Sequence, residues 1–312
     1  MFTHSQPVTA AAIADIGMGS VAMSTAITDT VTAPTPHFLR VADGTLAYDD
    51  QGSGPLVIAL PGLGDLRQSY RFLAPKLAAA GYRVLTVDLR GHGGSSVAWP
   101  SYDAAAIGQD ILDLIDHVGG GPATIIGNSF SAAAAIWAET ERPSAVAGTV
   151  LIGPFVRAGK PSAGLALAMN TLFHGPWSVR AWTWYHGTLF PTARPADHAA
   201  YRRMLRANLA ERGRFAAVRA MMFRRPDDTE QRLARIGTPT LVLMGSKDPD
   251  FPDPAAEAQW IAEHVGAGDP PGGRFLGEAS ILEGAGHYPQ AEMPAETAAR
   301  LLQFLAKVHR AE

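Results

Sequence analysis

Gly127-Asn128-Ser129-Phe130-Ser131 follows directly on the apolar run Ala123-Thr124-Ile125-Ile126 and directly precedes the helix-favouring stretch Ala132 to Ala138. Such an apolar run reads as a buried strand and the alanine-rich stretch as a helix, with a sharp turn between them that carries serine at its apex. A serine hydroxyl is a weak nucleophile at neutral pH. On a tight strand-to-helix turn its oxygen is offered to a base on one side, while N–H groups at the helix start face a developing oxyanion. The usual form is G-x-S-x-G, and here Ser131, also small, stands at the last glycine. Alone, the pattern reads equally well as a plain turn with a serine cap, so its partners must be sought.

Outward from this turn the chain alternates strand and helix patterns. Phe38-Leu39-Arg40-Val41 and Thr45-Leu46-Ala47-Tyr48 flank the turn pair Asp43-Gly44 and predict a hairpin. Pro55 to Leu60 reads as a buried strand, followed by the loop Pro61-Gly62-Leu63-Gly64-Asp65 and an amphipathic helix from about Gln68 to Ala80, stopped by Gly81. Arg83 to Val87 is the next strand, and Ser101 to Val118 the next helix, with Ile107, Ile111, Leu114, Ile115 and Val118 at helical spacing. Ala147 to Ile152, Thr240 to Met244 and Ala279 to Leu282 supply further strands. Near-continuous apolar strands between helices predict an α/β fold: a mostly parallel eight-stranded sheet with helices on both faces.

The stretch 157–235 has no strand pattern and predicts a helical cap inserted after the sixth strand, with the core formed by 36–156 and 236–312. It holds Met169, Phe173, Trp177, Trp182, Trp184 and Tyr185, each of which taken singly belongs in the helices' own core. As a group they imply a lid with an apolar underside above the serine turn. Met169, Trp177, Trp182, Trp184 and Tyr185, with Phe155 and Tyr288, are therefore candidate substrate-pocket residues. The arginines of this stretch, among them Arg202, Arg203, Arg206, Arg212, Arg214, Arg224 and Arg225, read as a solvated face.

A nucleophilic serine requires a base and an acid, each in a loop leaving a strand, in the order serine, acid, histidine. Met244-Gly245-Ser246-Lys247-Asp248 leaves the seventh strand and Glu283-Gly284-Ala285-Gly286-His287 leaves the last. His287 would take the proton of Ser129 and return it to the leaving group, while Asp248 fixes the tautomer and stabilises the imidazolium. Asp250 competes with Asp248 for the acid role, because loop offsets of one or two residues are not fixed by sequence. Oxyanion donors are expected from the backbone N–H of Phe130, just after the nucleophile, and of Leu63, in the loop after the third strand. The other histidines, such as His92, His174 and His186, read as structural or pocket-lining.

Bulk properties exclude other classes. A net charge of −3 over 312 residues offers no electrostatic footprint for nucleic acid. No cysteine is present, which removes disulfides, thiol nucleophiles and thiolate metal sites. Residues 1–35 carry no Lys or Arg, and Asp15, Gly17, Gly19 and Asp29 interrupt their apolar stretches. They read as a tail, disordered or with a short helix around Ala10 to Ile16, rather than as a secretory signal. A cytoplasmic location is expected, with secretion left open, and the absence of about 18 consecutive apolar residues argues against a membrane span. No cofactor or metal is implied, since there is no clustered His/Asp/Glu pattern and no dinucleotide fingerprint. The expected partner is a small-molecule substrate with an apolar part, taken up by a monomer or homodimer.

Together, Leu60-Pro61-Gly62-Leu63-Gly64, Asp88-Leu89-Arg90-Gly91-His92-Gly93-Gly94-Ser95, the serine turn, Gly245 to Asp248 and Gly284 to Pro289 resemble the α/β-hydrolase fold superfamily in its single-domain, lidded branch. The second block is similar to that superfamily's D-x-R-G-x-G-x-S signature and is expected to be structural. Many relatives have His-Gly where this chain has Pro61-Gly62, which bears on subfamily rather than mechanism. The resemblance implies a serine hydrolase of esterase or lactonase type, acting on an ester, lactone or thioester through an acyl-enzyme. Gly127-Asn128-Ser129 also resembles the elbow of carbon–carbon bond hydrolases, from which Phe130-Ser131 departs. A hydrolase-like small-molecule receptor is a further alternative, since strigolactone and karrikin receptors resemble this chain at Ser131. Epoxide hydrolase and dehalogenase relatives use an aspartate nucleophile, which Ser129 disfavours.

Overall fold

The computed structural model describes residues 35–157, 163–223, 228–268 and 276–309. The expected tail, including the short helix around Ala10 to Ile16, lies outside them apart from Thr35, as do Arg224 and Arg225. Eight strands, β1 (His37–Val41), β2 (Gly44–Gln51), β3 (Leu56–Leu60), β4 (Arg83–Val87), β5 (Ala123–Asn128), β6 (Val146–Ile152), β7 (Thr240–Gly245) and β8 (Gly277–Leu282), form one sheet in the order β1-β2-β4-β3-β5-β6-β7-β8. β2 pairs antiparallel with β1 and β4, and every other pairing is parallel. Every residue of β3, β5 and β7 is buried, as expected of strands covered on both faces.

Between the strands lie α1 (Ala74–Ala79), α2 (Ala104–Val118) and α3 (Ser131–Glu141). The stretch between β6 and β7 contains α4 (Ala163–His174), α5 (Ser178–Thr188), α6 (His198–Ala210), α7 (Arg214–Met222) and α8 (Thr229–Leu233), and α9 (Pro254–His264), α10 (Pro289–Glu292) and α11 (Pro294–His309) complete the chain. Strand alternation sorts the core into two layers. Ile58, Leu85, Ile125 and Val242 pack with residues of α2, α3 and α9, and Val57, Val84, Ile126 and Leu243 pack with Leu77 of α1 and Leu301, Phe304 and Leu305 of α11. Among the described residues no helix is long and apolar enough to cross a membrane.

Three local expectations shift. The hairpin turn is Ala42-Asp43, since Val41 already pairs with Gly44. Gly44 is instead a close-approach residue, where a Cβ would lie 2.7 Å from the Trp99 ring. The helix expected over 68–80 is split into a 3₁₀ turn, Arg67–Tyr70, and α1. Pro75 causes the break, for it has no N–H to give the Arg71 carbonyl and crowds the preceding turn. The helix expected from Ser101 starts at Ala104, because Asp103 caps it by accepting the N–H of Ala106 at 2.8 Å.

The parallel strands point their carboxyl ends the same way, so the loops after β3, β5, β6, β7 and β8 gather along one edge, where sites in open α/β sheets are built. The insertion is tied to this edge. Phe173, Trp182, Leu205, Leu209, Phe215 and Val218 form an apolar cluster of their own that takes in Leu66 from the loop after β3.

Candidate active site

Ser129 sits between β5 and α3 with φ 57° and is the one non-glycine residue with positive φ among the described residues. The left-handed region is costly for a residue with a Cβ and persists where surrounding structure enforces it. Here the N–H of Ser129 donates to Ile152 O at 2.7 Å, and the Asn128 side chain donates to Ile152 O at 3.0 Å and His287 O at 3.3 Å. At Gly127 a Cβ would lie 2.5 Å from the Ser131 carbonyl oxygen, so the turn closes only on glycine. Ser131 donates its hydroxyl to Pro61 O, joining the turn to the loop after β3. The departure from the usual final glycine thus places a hydrogen bond between two parts of the site.

Asp248 and His287 come together from the loops after β7 and β8. His287 Nδ1–H donates to Asp248 Oδ2 at 2.7 Å, which leaves Nε2 as the basic nitrogen. Ser129, Asp248 and His287 are 6%, 2% and 2% exposed. Burial pulls the His287 imidazole down, but the charges and hydrogen bond of Asp248 and the charge of Asp250 outweigh it, so its pKa is raised. Gly153, at the end of β6, passes beside the pair, where a Cβ would lie 3.0 Å from His287 Nδ1. Asp250 is the more distant acid, its Oδ2 3.8 Å from the same nitrogen.

The loop after β3 is held from several sides. Gly64 N–H donates to His92 Nε2 at 3.0 Å, and His92 Nδ1–H donates to Arg90 O at 2.8 Å. Burial lowers the His92 pKa and keeps the imidazole neutral, as an acceptor at Nε2 requires. Trp182 donates its indole N–H to Gly64 O at 2.8 Å, and Tyr201 donates its hydroxyl to Asp65 Oδ1 at 2.5 Å. Gly62 lies against Ser129, where a Cβ would be 3.2 Å from that of the serine. Among the described residues no acceptor takes the N–H of Leu63 or Phe130, and no partner holds the Ser129 hydroxyl. Two unengaged donors beside a hydroxyl and a polarised imidazole are what attack on a carbonyl uses.

The pocket candidates divide. Phe155 and Tyr288 lie 5.9 and 5.2 Å, ring centre to ring centre, from His287, and Phe251 joins them at 6.5 Å. Tyr185 donates its hydroxyl to Asp250 Oδ1, while Trp182 reaches the loop after β3 and Met169 packs in the insertion's cluster. Trp177 and Trp184 are not brought to the site, being 49% and 66% exposed, because the helical phase that turns Trp182 and Tyr185 inward turns Trp184 outward. His186 is wholly buried, its Nε2 3.6 Å from Asp65 Oδ2, and His174 is exposed.

Two features had no sequence signal. Glu292 in α10 accepts the N–H groups of Gly286 at 2.6 Å, Thr192 at 3.0 Å and Ala193 at 2.9 Å, clamping the histidine loop to the segment after α5. Asp248, Asp250 and His287 form a group whose polar atoms lie within 4.8 Å of one another: the sequence offered the two acids as alternatives, and what it did not signal is that both face the histidine. Their atoms are engaged with each other, with the Asp250 N–H and with Tyr185.

A model of the alpha/beta hydrolase family matches residues 57–300. Epoxide hydrolase A of Mycobacterium tuberculosis is 36% identical over 104 residues, 32% of this chain and 32% of that protein, so the match spans about a third of its length. Among solved structures, an esterase from Thermogutta terrifontis superposes with a TM-score of 0.71 at 22% identity, over 88% of this chain and 99% of that one. An esterase from Rhodococcus sp. ECU1013 does so with a TM-score of 0.70 at 24% identity, over 88% and 99%. At these identities the likeness is one of fold.

Proposed function

Because the chain belongs to the alpha/beta hydrolase family, we propose that it is a serine hydrolase that cleaves an ester, lactone or thioester with an apolar part through an acyl-enzyme on Ser129. In this reading His287 Nε2 takes the proton of the Ser129 hydroxyl as the oxygen attacks the substrate carbonyl. The N–H groups of Leu63 and Phe130 receive the oxyanion, and His287 then gives the proton to the leaving oxygen or sulfur as its bond to carbon breaks. Asp248 keeps Nδ1 protonated and stabilises the imidazolium. Water, deprotonated by His287, attacks the acyl carbon next, and the acid leaves as Ser129 regains its proton.

The observation that carries this reading is the left-handed conformation of Ser129 at the β5–α3 turn. Rings of Phe155, Phe251 and Tyr288 around His287 support an apolar substrate part, and the insertion, with Trp182 and Tyr185 turned toward the loops, is the cap. The epoxide hydrolase likeness covers too little of either chain to set the reaction, and a serine at the turn favours acyl transfer. A fluorophosphonate probe should label Ser129 in the folded protein, and Ser129→Ala should lose labelling together with at least about 10³-fold of the turnover seen on an ester and lactone panel of graded chain length. Folded wild-type protein that stays unlabelled defeats the reading.

A further inference from the structure

Asp250 has no part in the three-residue relay, yet it is built into it. Its N–H donates to Asp248 Oδ1 at 3.0 Å, which locks the two acids in one turn. Its Oδ2 lies 3.8 Å from His287 Nδ1, the nitrogen that Asp248 already engages at 2.7 Å. Its Oδ1 accepts the hydroxyl of Tyr185, which comes from α5 in the insertion. The Asp250 side chain is 13% exposed, so its charge faces the imidazole with little intervening water. A surface aspartate that merely closed a turn would have neither the half-buried tyrosine partner nor this distance.

We propose that Asp250, fixed by Tyr185, is a second carboxylate for His287, sharing with Asp248 the stabilisation of the imidazolium formed when Ser129 is deprotonated. The inference rests on the serine-hydrolase reading. Asp250 acts through His287 and touches no reacting atom. Its reach from α5 also makes the seating of the insertion part of the electrostatics at the base: burial raises the Asp250 pKa, and the His287 charge and then the Tyr185 hydroxyl oppose that rise, so losing Tyr185 shifts Asp250 further toward the neutral acid. The other charged or titratable groups toward His287 are Asp65 from the loop after β3, Ser129 from the turn, Tyr288 on its own loop and the exposed Lys247 beside Asp248.

The sign of the effect is fixed. A carboxylate near Nδ1 favours the protonated imidazole, so removing its charge lets His287 remain a free base at lower pH. The test follows the rate of fluorophosphonate reaction at Ser129 against pH in the wild type, Asp250→Asn, Tyr185→Phe, Asp248→Ala and Asp248→Ala/Asp250→Asn. An NMR titration of the His287 imidazole runs beside it. Asp250→Asn should move the acid limb and the NMR midpoint to lower pH and lower the plateau rate. Tyr185→Phe should move both in the same direction by less, and it carries the test where Asp250→Asn does not fold. Asp248→Ala should retain a rate that the double variant loses by a further factor of about ten, the equivalent of one pKa unit of interaction. An acid limb and midpoint unmoved in Asp250→Asn and Tyr185→Phe, or an Asp248→Ala rate no higher than that of the double variant, overturns the proposal. Should folded wild type resist labelling, the hydrolase reading fails, and the NMR midpoint alone then decides the Asp250–His287 interaction.

Discussion

Ser129 holds a conformation that only glycine adopts freely. Its φ of 57° brings the Cβ against its own backbone at a cost of about 1–2 kcal/mol, and the hydrogen bonds to Ile152 O and the short approach to Gly62 maintain it. This cost is separable from the hydroxyl. Ser129→Ala keeps the Cβ and the strain, whereas Ser129→Gly removes both, so the glycine variant should be more stable than the alanine variant by about 1 kcal/mol. Urea unfolding of the two variants measures this difference, and equal midpoints would show that the turn is unstrained. Ser131 has a different role from the glycine it replaces: its hydroxyl reaches Pro61 O, so the elbow and the loop carrying Leu63 are tied by a side chain rather than by packing alone.

At the scale of elements, the site is a set of loops clamped by polar contacts that the helical insertion completes. Glu292 is the clearest case, a buried carboxylate receiving three backbone N–H groups, one from the histidine loop and two from the segment leaving α5. Removing it leaves those donors without their acceptor, so Glu292→Ala should cost roughly 3 kcal/mol, read from the urea midpoint, and Glu292→Gln about half of that. A loss within experimental error for Glu292→Ala would mean that the loop is held by packing instead. Such clamps are invisible in sequence because backbone donors carry no residue signature. Strand positions, by contrast, were legible from continuous apolar runs, and the loops of Asp248 and His287 from their places at strand ends. The split of the 68–80 stretch was legible too, in Pro75, but the apolar periodicity masked it. Trp184 and Trp182 could not be told apart without the phase of α5, since a helix carrying several aromatics offers no single apolar stripe to set its rotation.

Across the whole molecule, the histidines divide into groups that resist protonation and one that invites it, and stability should follow pH accordingly. His92 is pushed down chiefly by burial, and its Nε2 must stay unprotonated to accept from Gly64. His198, at the start of α6, is pushed down to about 4, by burial first and then by the charges of His186, Arg202, Arg194 and Arg71. His287 is raised, because Asp248 and Asp250 outweigh its burial. In the unfolded chain all three titrate near 6.5. Below that value the unfolded chain takes up protons at His92 and His198 that the folded protein refuses, so the stability tied to them is intact above about pH 6.5 and is lost as pH falls below it, for His198 down to about 4. His287 has the opposite sign: its contribution is complete below about pH 6.5 and is lost as pH rises through its folded value. His198 is the informative position, since its Nε2 has no partner among the described residues and its replacement breaks no hydrogen bond at that atom. Between pH 7.5 and pH 5 the wild type should therefore lose more stability than His198→Gln, by on the order of 1 kcal/mol. Buried carboxylates such as Asp110 and Glu139, raised chiefly by burial, titrate alike in both proteins and cancel from the difference. Urea unfolding of the two proteins across this range gives the answer directly: curves that run parallel would mean that His198 is as readily protonated in the fold as in the free chain.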